Sequence, residues 1–265
     1  MQTPFYLKTI NGIKLIKNKR LDALGVAHFF TTRVGGVSTG AYASLNTGRN
    51  TQDKPNHIIK NTKKISAVFG TTKIYAPQQV HSDKIIVVTD KNKQTVNDTK
   101  ADALITALPK VAIAVKVADC VGLVLYGTDK TGQHKVIATI HSGWRGVANK
   151  ITSKTIAVMK KRFGVDPKTI SAGISPAIGP CCYEVGQEIY KLKKQKVFNG
   201  IFNKKNGKIY MNLWKASSQL LEAAGVKKEK IFINDICTAC NPKLFYSHRR
   251  DKGKTGRMLT GIKLI

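Results

Sequence analysis

Apolar residues recur along this chain in two rhythms. Short runs rich in β-branched residues and bounded by turn formers predict strands at KIIVVTD (84–90), ADALITA (101–107), VAIAVKV (111–117), VGLVLYG (121–127), KVIATIH (135–141), ISAGISPAIG (170–179) and IFINDIC (231–237). Longer stretches with a helical period predict amphipathic helices over 56–70, 147–164, 186–195 and 212–225. Gly70, Gly164 and Gly225 fall where such helices need a left-handed residue to end on. Because strands come in consecutive groups as well as alternating with helices, the pattern predicts an α/β fold with a mixed sheet. No strand leads into GxGxxG or a Walker loop, so neither a dinucleotide nor a P-loop site is expected. With no repeat, low-complexity tract or linker, residues 1–265 read as a single domain.

Charge changes this picture less than its size suggests. The chain carries a formal +30, which invites a nucleic-acid reading, but only 8 of its 45 basic residues are arginine. Surfaces that clamp phosphates favour arginine forks and interleaved aromatics, so the dispersed lysines read as a solvated coat, and a nucleic-acid partner is not expected. The N-terminal stretch lacks an uninterrupted apolar core, and Lys116 and Asp119 cut the longest apolar run. Neither a signal peptide nor a membrane span is expected. Five cysteines, an odd number, fit free thiols in a reducing compartment better than a disulfide framework, and a cytoplasmic protein is expected.

Three segments share one grammar, in which an apolar run or its flank ends in a functional side chain: PQQVHSD with His81, VKVADCVG with Cys120, and ATIHSGWRG with His141. Two imidazoles and a thiolate are a natural donor set for Zn²⁺, and three protein ligands leave a fourth tetrahedral position open. Separations of 39 and 21 residues carry no motif specificity, and each residue taken alone is more often a core thiol or a structural imidazole. Gly143 and Gly146 would let the chain turn after His141 into the following helix. The loop TTRVGGVSTGAYASLNTG (31–48), with Arg33, Asn46 and the following Arg49, could cradle an anion or simply be well turned. In SPAIGPCCYEVG (175–186), Cys181 and Cys182 sit beside Tyr183 and Glu184, whereas Cys237 and Cys240 form a CxxC. A structural zinc wants a second spaced pair, and adjacent cysteines are poorly spaced to supply it. His28, His57 and His134 read as structural or surface residues.

Taken together and in order over residues 31–257, TTRVGGVSTGAYASLN, QQVHSD, ADALIT, VADCVGLVLY, IHSGWRG, SPAIGPCCYEVG and FYSHRRDKGKTGR closely resemble the YfiH family, the laccase-domain proteins once called multicopper polyphenol oxidases. The resemblance implies a single-domain α/β sandwich with a mixed β-sheet, distantly similar to the cytotoxic necrotizing factor deamidase fold. It implies a metal site at His81, Cys120 and His141, with zinc favoured over copper. It further implies purine nucleoside phosphorylase activity, with phosphate as co-substrate, on adenosine, inosine and 5′-methylthioadenosine, and adenosine deaminase activity alongside. The oxidase name fits the residues poorly, since laccase chemistry needs several copper ions and many histidines, and six histidines cannot easily supply them.

Under this reading Arg33, Asn46 and Arg145 are the candidates for substrate contacts, because a guanidinium fork holds tetrahedral oxyanions. Glu184 is the candidate proton shuttle, since strand alternation would turn Asp119 away from Cys120. One alternative uses Cys120 as nucleophile and His141 as base in a metal-free thiol hydrolase or amidase acting on a cell-wall precursor. A basic nucleic-acid-binding protein is the other.

Overall fold

The computed structural model describes residues 4–265. In chain order it contains β1 (Phe5–Ile10), β2 (Ile13–Asn18), α1 (Lys19–Asp22), β3 (Val26–Thr31), α2 (Pro55–Val68), β4 (Ile74–Tyr75), β5 (Ile85–Val87), β6 (Ala103–Thr106) and β7 (Ala112–Val117). β8 (Val121–Thr128), β9 (Lys135–Ser142), α3 (Trp144–Ala148), α4 (Ile151–Phe163) and β10 (Ser171–Ile174) follow. The remainder adds β11 (Glu184–Val185), α5 (Gln187–Tyr190), β12 (Phe202–Lys205), β13 (Lys208–Met211), α6 (Leu213–Ala223), β14 (Ile231–Ile233) and β15 (Met258–Leu264).

The strands form a first sheet in the order β1-β2-β3-β15-β7-β4, a second in the order β14-β10-β8-β9-β6-β5, and a small third sheet β11-β13-β12. Both large sheets are mixed: most pairs are antiparallel, but β4 runs parallel to β7, β5 to β6 and β14 to β10. They lie face to face around a shared core in which Ile113, Val115 and Ile262 meet Leu104, Val124 and Ile137. The opposite face of the second sheet, with Leu123, Leu125 and Ile140, is covered by Ile156 and Met159 of α4 and Leu220 of α6. Ile65 of α2 packs against Leu15, Ala114 and Leu259 on the outer face of the first sheet. The mixed α/β sandwich read from the sequence is thus what the chain forms. Burial on both faces also explains why β8 and β9 read as unbroken apolar runs instead of alternating.

Several boundaries differ for local reasons. Lys150 adopts left-handed backbone (φ +56), so the helix expected over 147–164 is two, α3 and α4. The strand expected over 170–179 stops at Ile174, just before Pro176, which has no amide to donate to a ladder. The helix expected over 186–195 shrinks to α5 plus a 3₁₀ turn over Lys191–Lys194, in which Leu192 is the one residue packed toward the core. Gly70, Gly164 and Gly225 all take positive φ just beyond their helices, as expected. The hairpin β1–β2, which sequence reading passed over, turns at Asn11-Gly12 with both residues at positive φ; that dipeptide between apolar-rich runs was a usable signal.

Candidate active site

His81, Cys120 and His141 converge, with their ligand-capable atoms all within 4.8 Å of one another. Each comes from a different kind of connection. Cys120 lies at the corner where the chain leaves β7 in the first sheet for β8 in the second, a turn made by Asp119 at φ +88. His141 is on β9, beside β8. His81 sits in the loop between β4 and β5 in left-handed backbone (φ +57), its ring centroid 4.9 Å from that of His141.

One carboxylate organises both imidazoles. Asp102, fully buried just before β6, accepts from His141 Nδ1 at 2.8 Å, which leaves Nε2 as the ring's other donor atom. The same carboxylate gathers the consecutive amides of Val80, His81 and Ser82 at 3.2, 3.1 and 2.7 Å, and the Ser82 hydroxyl at 2.8 Å. Burial alone would raise its pKa, but the bonds from His141 and Ser82 hold it below the ordinary carboxylate range. Sequence reading did not pick out Asp102, although it opens the DALIT run; an acidic residue leading an otherwise apolar strand was the available signal.

The electrostatics of the cluster are strongly coupled. Burial pushes the Cys120 thiol up, yet the neighbouring His141 and His81 outweigh it and bring the thiol down to about 6. Burial likewise pushes His141 down, but Cys120 and Asp102 together raise it to about 9. Gly143 is needed for space more than for turning. At φ −79 its backbone is ordinary, but a Cβ there would stand 2.7 Å from Cys120 Sγ. Gly146 is helical within α3. Two nitrogens and one sulfur at this separation suit a four-coordinate metal with one position left for water or substrate, so the cluster can hold a metal ion.

The cluster lines a cavity of about 470 Å³, within the usual range for small-molecule sites. Five cationic side chains line it, Arg49, Lys116, Arg145, Arg249 and Arg257, against one carboxylate, that of Asp119. Half of the chain's eight arginines are therefore gathered here, whereas its lysines are spread over the surface. Arg145 stacks on Trp144, its guanidinium carbon 4.4 Å from the ring centroid. Burial, and then Arg49, lower Lys116 to about 8. Tyr183 also faces the cavity; burial and the nearby Cys120 raise its phenol, so it stays a proton donor.

Other sequence candidates are placed elsewhere. Arg33 donates to the carbonyls of Ala43 (2.7 Å) and Pro242 (3.1 Å) and stacks on Tyr246, outside the cavity lining. Asn46 is fully buried; its amide donates to Thr51 and Asp53, and its carbonyl oxygen receives the amides of Gly48 and Arg257, so it braces a loop. Glu184 pairs with Lys208 at 2.9 Å on the exposed edge of the third sheet and does not line the cavity. Asp119, expected to point away, does line it, but its oxygens accept from the Thr238 hydroxyl (2.6 Å) and the Arg249 amide (2.7 Å). From sequence, Arg49 was open to an anion-cradling role, and Arg249, Arg250 and Arg257 to phosphate binding or to tying down the C-terminal segment. Arg49, Arg249 and Arg257 line the cavity and Arg250 does not, whereas Lys116 and Tyr183 were not assigned because only the fold gathers their distant segments.

Residues 27–265 match the family described as multi-copper polyphenol oxidoreductase laccase. The chain is 31% identical over 271 residues to a purine nucleoside phosphorylase of Bacteroides thetaiotaomicron, covering 95% of this chain and 99% of that one. It is 30% identical over 250 residues to the adenosine deaminase RL5 of an unknown prokaryotic organism, covering 90% and 94%. The crystal structure of the hypothetical protein YfiH of Bacillus licheniformis superposes with a TM-score of 0.87 at 33% identity, over 100% of both chains.

Proposed function

The chain belongs to the multi-copper polyphenol oxidoreductase laccase family, and from that membership and the geometry of its cavity we propose that it is a zinc-dependent purine nucleoside phosphorylase that also deaminates adenosine. The observation that carries the reading is a two-histidine, one-cysteine cluster in the wall of a nucleoside-sized cavity lined with arginines. The names of two relatives, a phosphorylase and a deaminase, support the same pair of reactions. Adenosine, inosine and 5′-methylthioadenosine are the proposed substrates, and the whole chain acts as one domain.

His81, Cys120 and His141 would hold the zinc, which when bound would act as a Lewis acid able to make water a usable nucleophile near neutral pH. The chain's own residues do the rest. Asp102 fixes the ring of His141 and the loop of His81, so the donor atoms need no rearrangement when substrate enters. In phosphorolysis, phosphate attacks the anomeric carbon as the bond to the purine breaks. Arg145, Arg249 and Arg257 are the groups that hold the phosphate and balance its charge, in place of Arg33 and Asn46. The leaving purine takes up a proton, and Tyr183 is better placed to deliver it than Glu184, whose carboxylate is engaged with Lys208.

A second reading has one observation in its favour: Cys120, His141 and Asp102 are ordered as the nucleophile, base and orienting acid of a thiol hydrolase. The two readings part on a simple experiment. Metal-assayed protein is incubated with adenosine, with and without phosphate, and the products are identified. Adenine with ribose 1-phosphate when phosphate is present, and inosine when it is absent, are the expected results. Full activity of metal-free protein, lost on alkylation of Cys120 by iodoacetamide, would overturn the zinc reading in favour of the thiol enzyme.

A further inference from the structure

Beyond the cavity cluster, the fold gathers a second set of metal-capable atoms. The sulfurs of Cys181, Cys182, Cys237 and Cys240 all lie within 4.8 Å of one another, with Cys240 Sγ 3.6 Å from Cys181 Sγ and 3.3 Å from Cys182 Sγ. Their spacing in sequence argued against a shared site, since two of them are adjacent. The fold overcomes this by folding the 175–186 loop back along the CxxC segment. Ala177 and Cys237 form a parallel bridge, and the Thr238 amide donates to the Ala177 carbonyl at 2.9 Å.

We propose that these four cysteines form a closed structural zinc site, distinct from the one in the cavity. Four sulfurs bound at about 2.3 Å around a tetrahedral ion stand a little under 4 Å apart, which matches the cluster without large movement. The surroundings suit thiolates. The amide of Gly179 donates to Cys237 Sγ at 3.2 Å, as hydrogen bonds to a ligating sulfur do in a finished site. Arg250, itself paired with the Asp251 carboxylate, donates to the carbonyls of Thr238 and Ala239, the two residues enclosed by the CxxC, and so fixes the turn that presents Cys237 and Cys240. With every tetrahedral position taken by sulfur, the ion offers nothing to substrate. It ties together the two loops that carry Tyr183 and Arg249 to the cavity wall, and Arg249 already crosses between them by donating to the Glu184 carbonyl at 2.8 Å.

The test counts and identifies metal in the full chain, purified anaerobically without chelator. Unaltered protein should hold about two zinc ions per chain. Cys120→Ala should lose the cavity ion and keep the other, and X-ray absorption on that variant should show zinc with four sulfur neighbours at about 2.3 Å. Cys240→Ser, and separately Cys181→Ser, should each lose one ion and keep the one bound with nitrogen. A Cys120→Ala protein that folds by circular dichroism yet holds no zinc, or holds zinc with fewer than four sulfurs, would overturn the proposal. So would peptide mapping that finds these cysteines joined as disulfides in the unaltered protein. The proposed reactions could fail while this site stands, because the metal count does not depend on turnover.

Discussion

Two histidines are deeply buried in this protein, His28 at 0% exposure and His141 at 5%, and burial alone would drive both to the neutral form. His28 obeys: burial, reinforced by Lys17 and only partly opposed by Asp22, brings it down to about 3. Its Nε2 accepts the Asn18 amide at 2.8 Å within the first sheet. His141 does the opposite, because Cys120 and Asp102, each just ahead of a strand of the second sheet, lie beside its ring. Depth therefore does not separate a structural imidazole from a chemical one. Bonded partners do: Asp22 stands 3.6 Å from His28 Nδ1 without a hydrogen bond, whereas Asp102 bonds His141 Nδ1 at 2.8 Å and the Cys120 sulfur lies close to the same ring.

The comparison breaks most completely at Cys120. Cys120→Ala should reduce nucleoside turnover to background, and full activity in that variant would sink the site. His28 gives the next largest effect, on stability. Its folded pKa lies below its ordinary value of 6.5, so its contribution is present above about 6.5 and is lost as pH falls toward 3. At about 1.4 kcal/mol per pKa unit the loss is on the order of 5 kcal/mol. Urea unfolding across that range should show the decline, and His28→Gln should flatten it; an unchanged slope would mean that the acid sensitivity lies elsewhere. Asp102→Asn should cost about 10–100-fold in activity or metal affinity, as expected when a group that orients a ligand is lost. Unaltered metal binding in that variant would remove Asp102 from its proposed role. Gly143→Ala probes the same cluster through packing, on a similar scale. The methyl group crowds Cys120 Sγ, and overpacking of about 1–3 kcal/mol should appear as weaker metal binding in a calorimetric titration.

Much of the molecule was legible in the chain because local rules survive folding. The apolar runs that became β6 to β9 and the glycines that end α2, α4 and α6 follow from side-chain and backbone preferences alone. His81, Cys120 and His141 were legible because each ends an apolar run or its flank, where a rigid scaffold presents a side chain. Asp102 was not, since its importance comes from three amides and an imidazole supplied by other segments. The arginines divide in the same way. Arg145 could be assigned because it follows a site histidine, whereas Arg33 looked suitable but is committed to carbonyls of its own scaffold. Cysteine spacing argued against a shared cluster, yet the four sulfurs converge because a second loop folds over the adjacent pair.

β15 joins the first sheet between β3 and β7, pairing residues 258–264 with strands made from residues 26–31 and 112–117. On the ribosome, each of those early strands waits with an open edge until residue 264 has emerged, a long exposure to pairing with other chains. Arg249 and Arg257, which complete the cavity wall, emerge only shortly before. The cationic part of the cavity wall therefore cannot assemble before residue 257 has been made, and the strand that fills the gap between β3 and β7 follows directly after it.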